Sequence, residues 1–237
     1  DASLGVDGNW NTELQATLTN VIKDSGYDIG HLFGATGGGG NAGCVGCVCV
    51  NPTAAEPNGK GSAFTSPSDS KPEGATFDID FVAHEMGHQL GANHTFSHAT
   101  ENNGVSVEPG SGSTIMGYAG ITDFDVQANS DDYFAYASIK QIQDNLLLKS
   151  CPGEIFLTNS PPTISAGLDY TIPKGTAFVL RGVGSDVDGD AVTYCWEQND
   201  SATGASGENS VASPTKTNGP NFRSIKPSSS SIRYMPA

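Results

Sequence analysis

The sequence predicts two parts of different class, an α+β unit over residues 1–158 and an all-β sandwich module over residues 159–237. Three observations predict this division. Helical periodicity returns three times in the first part, at residues 11–24, 77–90 and 138–149. An extended run and a glycine-rich arm separate the first two of these. From residue 158 the text changes to short β-branched runs broken by Pro and Gly, as in "TNSPPTISAGLDYTIPKGTAFVLRG".

In chain order, "NTELQATLTNVIKD" at 11–24 places Leu14, Leu18, Val21 and Ile22 on one helical face, with Thr12 and Gln15 at capping-box spacing. The stretch "YDIGHLFGATGGGGNAGCVGCVCV" suits an edge strand with a bulged approach, near residues 31–49, where another chain can add alongside. Residues 51–74 have the Pro, Gly, Ser and Asn content of a surface loop, and 95–113 are loop-like again. A further helix is expected from Ser138, as N-cap, to Lys149, with Ile139, Ile142, Leu146 and Leu147 facing inward and Cys151-Pro152 ending it. In the second part, "AVTYCWEQ" puts Val192, Tyr194 and Trp196 on one face of a strand.

Composition narrows the function classes. Eleven Lys and Arg stand against 26 Asp and Glu, a formal net charge of -15. Broad electrostatic attraction to nucleic acid or anionic lipid is therefore not expected. No segment approaches the roughly 20 apolar residues of a membrane span, and the opening "DASLGVDGNW" lacks the basic start and apolar run of a signal peptide. The expectation is a secreted, extracellular protein whose export signal has gone. Between Lys71 and Lys140 there is no Lys or Arg. Either this marks a working cleft in a negative field, favouring cationic or neutral substrates, or it serves solubility. Five cysteines, Cys44, Cys47, Cys49, Cys151 and Cys195, leave at least one without a partner in the chain. Cys44-Val-Gly-Cys47 has knuckle or redox spacing, but no second pair follows at zinc-site spacing, which favours a structural role.

The informative stretch is "HEMGHQLGANH" at 84–94. Residues four apart share a helical face, so His84 and His88 can present two imidazoles to one metal ion. Glu85 stands beside the first, able to take a proton from metal-bound water. Gly91 lets the backbone turn out of the helix and brings His94 back as a third ligand. Three neutral histidines with an open fourth position are what catalytic zinc uses, and the chemistry implied is hydrolysis. His31 and His98 fall outside the motif and are expected to be packing or surface residues.

This stretch resembles the HExxHxxGxxH zinc signature of the metzincin metalloendopeptidases. "GSTIMGYAG" at 112–120 is similar to the clan's methionine turn, with Met116 as its methionine. "GGGG", "FDIDFVAHEMGHQ" and "SDDYFAYASI" have similar counterparts in bacterial, secreted, reprolysin or ADAM-like peptidases; pappalysin-like enzymes are the second branch considered. The resemblance implies a zinc-dependent endopeptidase of protein substrates, with Zn2+ on His84, His88 and His94, Glu85 as general base, and Met116 and Gly91 as structural residues. It places Tyr118 where some relatives carry a zinc-ligating, oxyanion-supporting tyrosine; lining the substrate pocket is the other role open to it. It also implies a disulfide from Cys49 to Cys151, with Cys44–Cys47 as a less comfortable second pair and Cys195 left over.

Two departures stand out. Reprolysins commonly place Asp directly after the third histidine, where this chain has Thr95. The signature also begins early, at residue 84, so the domain's first strands are expected to be missing and supplied by an N-terminal fragment of the same precursor or by another chain. The second part resembles PKD-like or other immunoglobulin-like modules. Its "DVDGD" turn offers Asp186, Asp188 and Asp190 to Ca2+, or is a solvated acidic turn. The competing functional class is an adhesion or binding module with an inactive peptidase core, against which the presence of Glu85 counts.

Overall fold

The computed structural model describes residues 9–236 apart from Ser68, Pro152, Glu154 and Thr203. The expectations at residues 1–8 and at Pro152 lie outside these residues. The chain opens with helix α1 (Asn9–Val21), followed by strands β1 (His31–Phe33), β2 (Gly39–Asn41) and β3 (Ala63–Ser66). Their order in the sheet is β1-β3-β2, with β1 parallel and β2 antiparallel to the central β3. A π-helical stretch, Thr76–Ala83, runs directly into helix α2 (His84–Leu90), and helix α3 spans Tyr136–Leu146.

Helix α1 starts earlier than the sequence pattern suggests and buries a different face. Val21 and Ile22 are exposed, Thr12 lies inside the helix rather than at its cap, and the buried residues are Trp10, Asn11 and Gln15. The reason is hydrogen bonding. Gln15 Oε1 accepts from Gly59 N (3.0 Å) and Gly61 N (2.9 Å), while its Nε2 donates to the Tyr27 hydroxyl (2.8 Å). Asn11 donates to the backbone oxygens of Ser62 and Asn41. Trp10 meets Phe64 of β3 edge to face at 5.2 Å. The helix thus satisfies the backbone leading into β3 as well as packing on it.

β3 lies within the stretch expected to be a surface loop, yet all four of its residues are buried. Its hydroxyls tolerate burial because each is paired: Thr65 Oγ1 with His31 Nε2 (2.8 Å), and Ser66 Oγ donating to Thr36 O (2.5 Å). His31 also meets Gln89 Oε1 at 2.8 Å, a packing role that ties β1 to α2. Of the stretch expected to be an edge strand, only β1 and β2 are extended, at opposite edges of the sheet, and residues 44–49 form turns. Cys44–Cys47 and Cys49–Cys151 are disulfides, and Cys195 is a free, exposed thiol.

Helix α3 begins at Tyr136, and Ser138 is a fully buried interior residue rather than its N-cap. The first helical N–H, that of Tyr136, is capped by the Glu197 carboxylate at 2.7 Å, sixty-one residues away. Ile142 packs into the core, whereas Ile139, Leu146 and especially Leu147 are exposed. The core below the site consists of Ala92, Ile115 and Met116, with Ile79, Ala83, Phe134 and Ile142 against it.

Beyond residue 158 the described strands form two separate pairs: β4 (Thr163–Ser165) with β6 (Val183–Ser185), and β5 (Phe178–Arg181) with β7 (Ile232–Met235). Tyr194 makes only an isolated bridge to Ser228, and the strand expected over 191–198 is absent. Among the described residues these are two two-stranded ribbons, with Ile164, Val183 and Tyr234 exposed. Hydrogen bonds and an ion pair join this region to the first part. Ala202 N donates to Ser106 O (2.9 Å), Gly207 N to His98 O (2.9 Å), and Gly110 N to Ser210 O (3.1 Å). Tyr133 donates to Ser224 Oγ (2.7 Å), and Lys226 pairs with Asp132 at 2.6 Å.

Candidate metal centre and catalytic cleft

Helix α2 carries His84 and His88 on one face, and Gly91 ends it with φ +122°. A side chain there would be strained by that dihedral and would also meet Asn145 Cβ at 2.7 Å. Asn145 in turn donates to Leu90 O (2.7 Å), satisfying a terminal carbonyl of α2. The reversal returns His94 to the two helical histidines. His94 Nε2 lies 3.0 Å from His88 Nε2 and 3.2 Å from His84 Nε2. Nitrogens about 2.0–2.1 Å from one tetrahedral ion stand roughly 3.3 Å apart, so the spacing fits zinc.

The opposite ring nitrogens fix the tautomers. His84 Nδ1 meets Ile115 O at 2.7 Å, His88 Nδ1 meets Ala92 O at 2.7 Å, and His94 Nδ1 meets the Glu101 carboxylate at 2.9 and 3.0 Å. Carbonyl and carboxylate oxygens only accept, so Nδ1 carries the proton and each Nε2 lone pair faces the shared centre. Burial, reinforced by the neighbouring imidazoles, holds His84 well below its usual pKa and His94 at about 3; burial also lowers His88. All three are therefore neutral at pH 7, the form that binds a metal.

Glu85 projects toward strand β2. A Cβ on Gly40 would lie 2.5 Å from Glu85 Cγ, so the glycine run at 37–40 supplies the surface against which this carboxylate rests. Burial pushes the Glu85 pKa up to about 7, opposed by a backbone hydrogen bond from Ala42. Tyr118 sits on the other side, its ring 4.5 Å from that of His94 and 5.6 Å from that of His84. Burial, with Glu85 and Glu101 nearby, raises the phenol to about 12 and keeps it a hydrogen-bond donor.

Met116 is fully buried under the histidines. A Cβ on Gly87 would meet Met116 Sδ at 2.5 Å, so this glycine lets the turn approach α2. The turn is fastened by Thr95 N to Met116 O (3.0 Å) and Tyr118 N to Ser111 O (2.7 Å). Beneath it lies a residue that sequence reasoning missed, Glu108, which is 2% exposed. Its Oε1 accepts from Ser113 N (3.0 Å) and Thr114 N (3.2 Å), and its Oε2 from the hydroxyls of Thr95 and Thr114, both 2.6 Å. Thr95 and Glu108 together thus tie the segment after the third histidine to the methionine turn. Glu101 was missed as well; no short-range pattern marks a carboxylate seven residues after a ligand.

Among the described residues, two groups of three bring ligating atoms within 4.8 Å of one another: His84, His88, His94 and Asp28, Cys49, Cys151. The second has its thiols in a disulfide and offers no thiolate. The Asp186, Asp188, Asp190 turn is not among these groups. Asp186 Oδ1 accepts from the backbone N of Asp188 (2.8 Å) and Asp190 (3.3 Å), and Asp188 Oδ2 from Ser160 N (2.6 Å). These carboxylates shape the turn. His98 stays outside the ligand set, its ring 4.3 Å from Phe96.

A cleft of about 480 Å³ runs from Gly39 and Gly40 past Glu85 and His84 to Tyr118 and Ser130. Residues 3–149 match the metallo-peptidase family M12B, reprolysin-like. No curated protein and no solved structure matched the chain. Among the described residues no helix is long and apolar enough to cross a membrane.

Proposed function

The chain belongs to the reprolysin-like metallopeptidase family M12B, and from that premise we propose that it is a secreted zinc endopeptidase with Glu85 as its general base. The observation that carries this reading is the convergence of three neutral imidazole Nε2 atoms next to an open cleft that His84 and the buried Glu85 line. His84, His88 and His94 would hold the ion. Zinc bound there supplies Lewis acidity, which acidifies a water and polarises a carbonyl.

The remaining steps fall to the chain's own residues. A peptide lies extended along the open edge of β2, adding to the sheet through main-chain hydrogen bonds. Glu85 takes the proton of the attacking water, oxygen adds to the scissile carbonyl carbon, and Glu85 then delivers that proton to the leaving amine as the C–N bond breaks. The Tyr118 phenol donates to the oxyanion formed in between. Two disulfides accord with an extracellular setting. The division at residue 158, the PKD-like second module and a complementing N-terminal fragment belong to the same reading. β1 supports the last of these, since its outer edge is unpaired among the described residues.

The test is hydrolysis of unfolded casein by the purified protein, with and without a zinc chelator and with zinc restored. Cleavage that disappears and returns supports the reading. Intact casein at one bound zinc per chain would favour a binding module with an inactive core. Two variants probe the shell. Tyr118→Phe is expected to lower kcat by about 10²-fold with little change in KM; an unchanged kcat would leave Tyr118 as pocket lining. Glu101→Ala frees the His94 ring and is expected to weaken zinc about 10- to 100-fold in competition with a chromogenic chelator. An unchanged zinc affinity would show that Glu101 does not orient the ligand.

A further inference from the structure

The same cleft carries information about which substrates it takes, an inference that rests on the peptidase reading of its metal centre. Beside His84 its lining includes Phe77 and Phe81, four residues apart on the helical stretch leading into α2, and Ile121 from the segment after the methionine turn. Asp80, four residues ahead of His84, lines the same cleft. Asp80 Oδ1 accepts from Ser130 N at 2.7 Å. The Asn129 amide, oriented so that its nitrogen donates, reaches Oδ2 at 3.3 Å. Two neutral donors therefore aim the carboxylate and leave part of its roughly four-site acceptor capacity open.

No ion pair engages Asp80 among the described residues. Lys71, the one Lys or Arg lining the cleft, is exposed and forms no ion pair with it among those residues. From residue 72 to 139 the sequence has no Lys or Arg, so nothing on the surrounding segment neutralises this charge. A cleft whose lining combines aromatic rings with an oriented anion suits a side chain that is apolar along its stem and cationic at its tip. A carboxylate there would be repelled by Asp80, and a leucine would cover its remaining acceptor sites without supplying a donor.

We propose that this pocket selects lysine or arginine at a residue flanking the scissile bond, with Asp80 as its counter-charge, which makes basic proteins and peptides the substrate class. The test is cleavage-site mapping of the zinc-loaded full chain on a proteome-derived peptide library. Peptides that differ only in Arg, Leu or Glu at the mapped position are then compared. Lys and Arg should be enriched on one side of the cut. Asp80→Asn should reduce the ratio of kcat/KM for the Arg peptide over the Leu peptide by about 10- to 100-fold, the range of a charge-assisted hydrogen bond. Asp80→Lys should shift preference toward the Glu peptide. Cleavage without a basic preference overturns this inference alone, and a wild-type preference for Glu would assign the pocket to Lys71. Absence of any cleavage overturns the peptidase reading, and this inference with it.

Discussion

Glu85→Gln is expected to lose about 10²- to 10⁴-fold in kcat while still binding one zinc per chain. The substitution keeps the volume and the contact with Gly40, so the cleft wall stays in place. It removes the carboxylate next to His84 on α2, the group proposed to accept a proton from water and return it to an amine. The three ligands keep their Nδ1 partners, none of which is Glu85, so zinc affinity should hold. Rates on a fluorogenic peptide, alongside zinc stoichiometry and thermal unfolding, check this. A variant keeping more than about a tenth of the activity would leave Glu85 without the role of base; loss of zinc together with activity would make its role structural.

Glu108→Ala should produce the largest loss of stability. The carboxylate is 2% exposed, no cation pairs with it among the described residues, and its burial is tolerated because both oxygens are saturated by donors. Truncation leaves the N–H groups of Ser113 and Thr114 and the hydroxyls of Thr95 and Thr114 without their acceptor, in a site too enclosed for easy hydration. A loss of about 3–5 kcal/mol is expected by denaturant unfolding of the zinc-loaded protein. Glu108→Gln is the informative companion. Its carbonyl oxygen can serve the two N–H groups at the Oε1 position, while the threonine hydroxyls rotate to accept from its amide. It should cost well under half as much, and equal losses from the two variants would mean that the negative charge, rather than the donor network, is what the turn requires.

The residues of the candidate site that could be read from the sequence are those whose geometry is set within one turn of backbone. His84 and His88 share a face because they are four apart, and Gly91 marks the reversal because a positive φ favours glycine. The methionine turn was legible as text, "GSTIMGYAG", and its place under the histidines follows from the clearance at Gly87. The failures share one cause. β3 reads as loop because two of its four residues are hydroxylic, and their burial depends on His31 and Thr36 from other segments. The leucine face of α1 misleads because Asn11 and Gln15 hold the backbone before β3. Ser138 reads as a cap because local rules cannot see Glu197 arriving from the second part of the chain.

By itself, then, the sequence determined the ligand set, the candidate base beside it and the family, since helical periodicity and one glycine bring those groups together with little outside help. The tertiary structure decided what orients and supports them: Glu101 on His94, Glu108 tied to the turn, and Gly40 behind Glu85. Each of these depends on two segments meeting at hydrogen-bond or van der Waals distance, and a buried polar atom is satisfied by whichever donor or acceptor the fold delivers, however far away in the chain it lies.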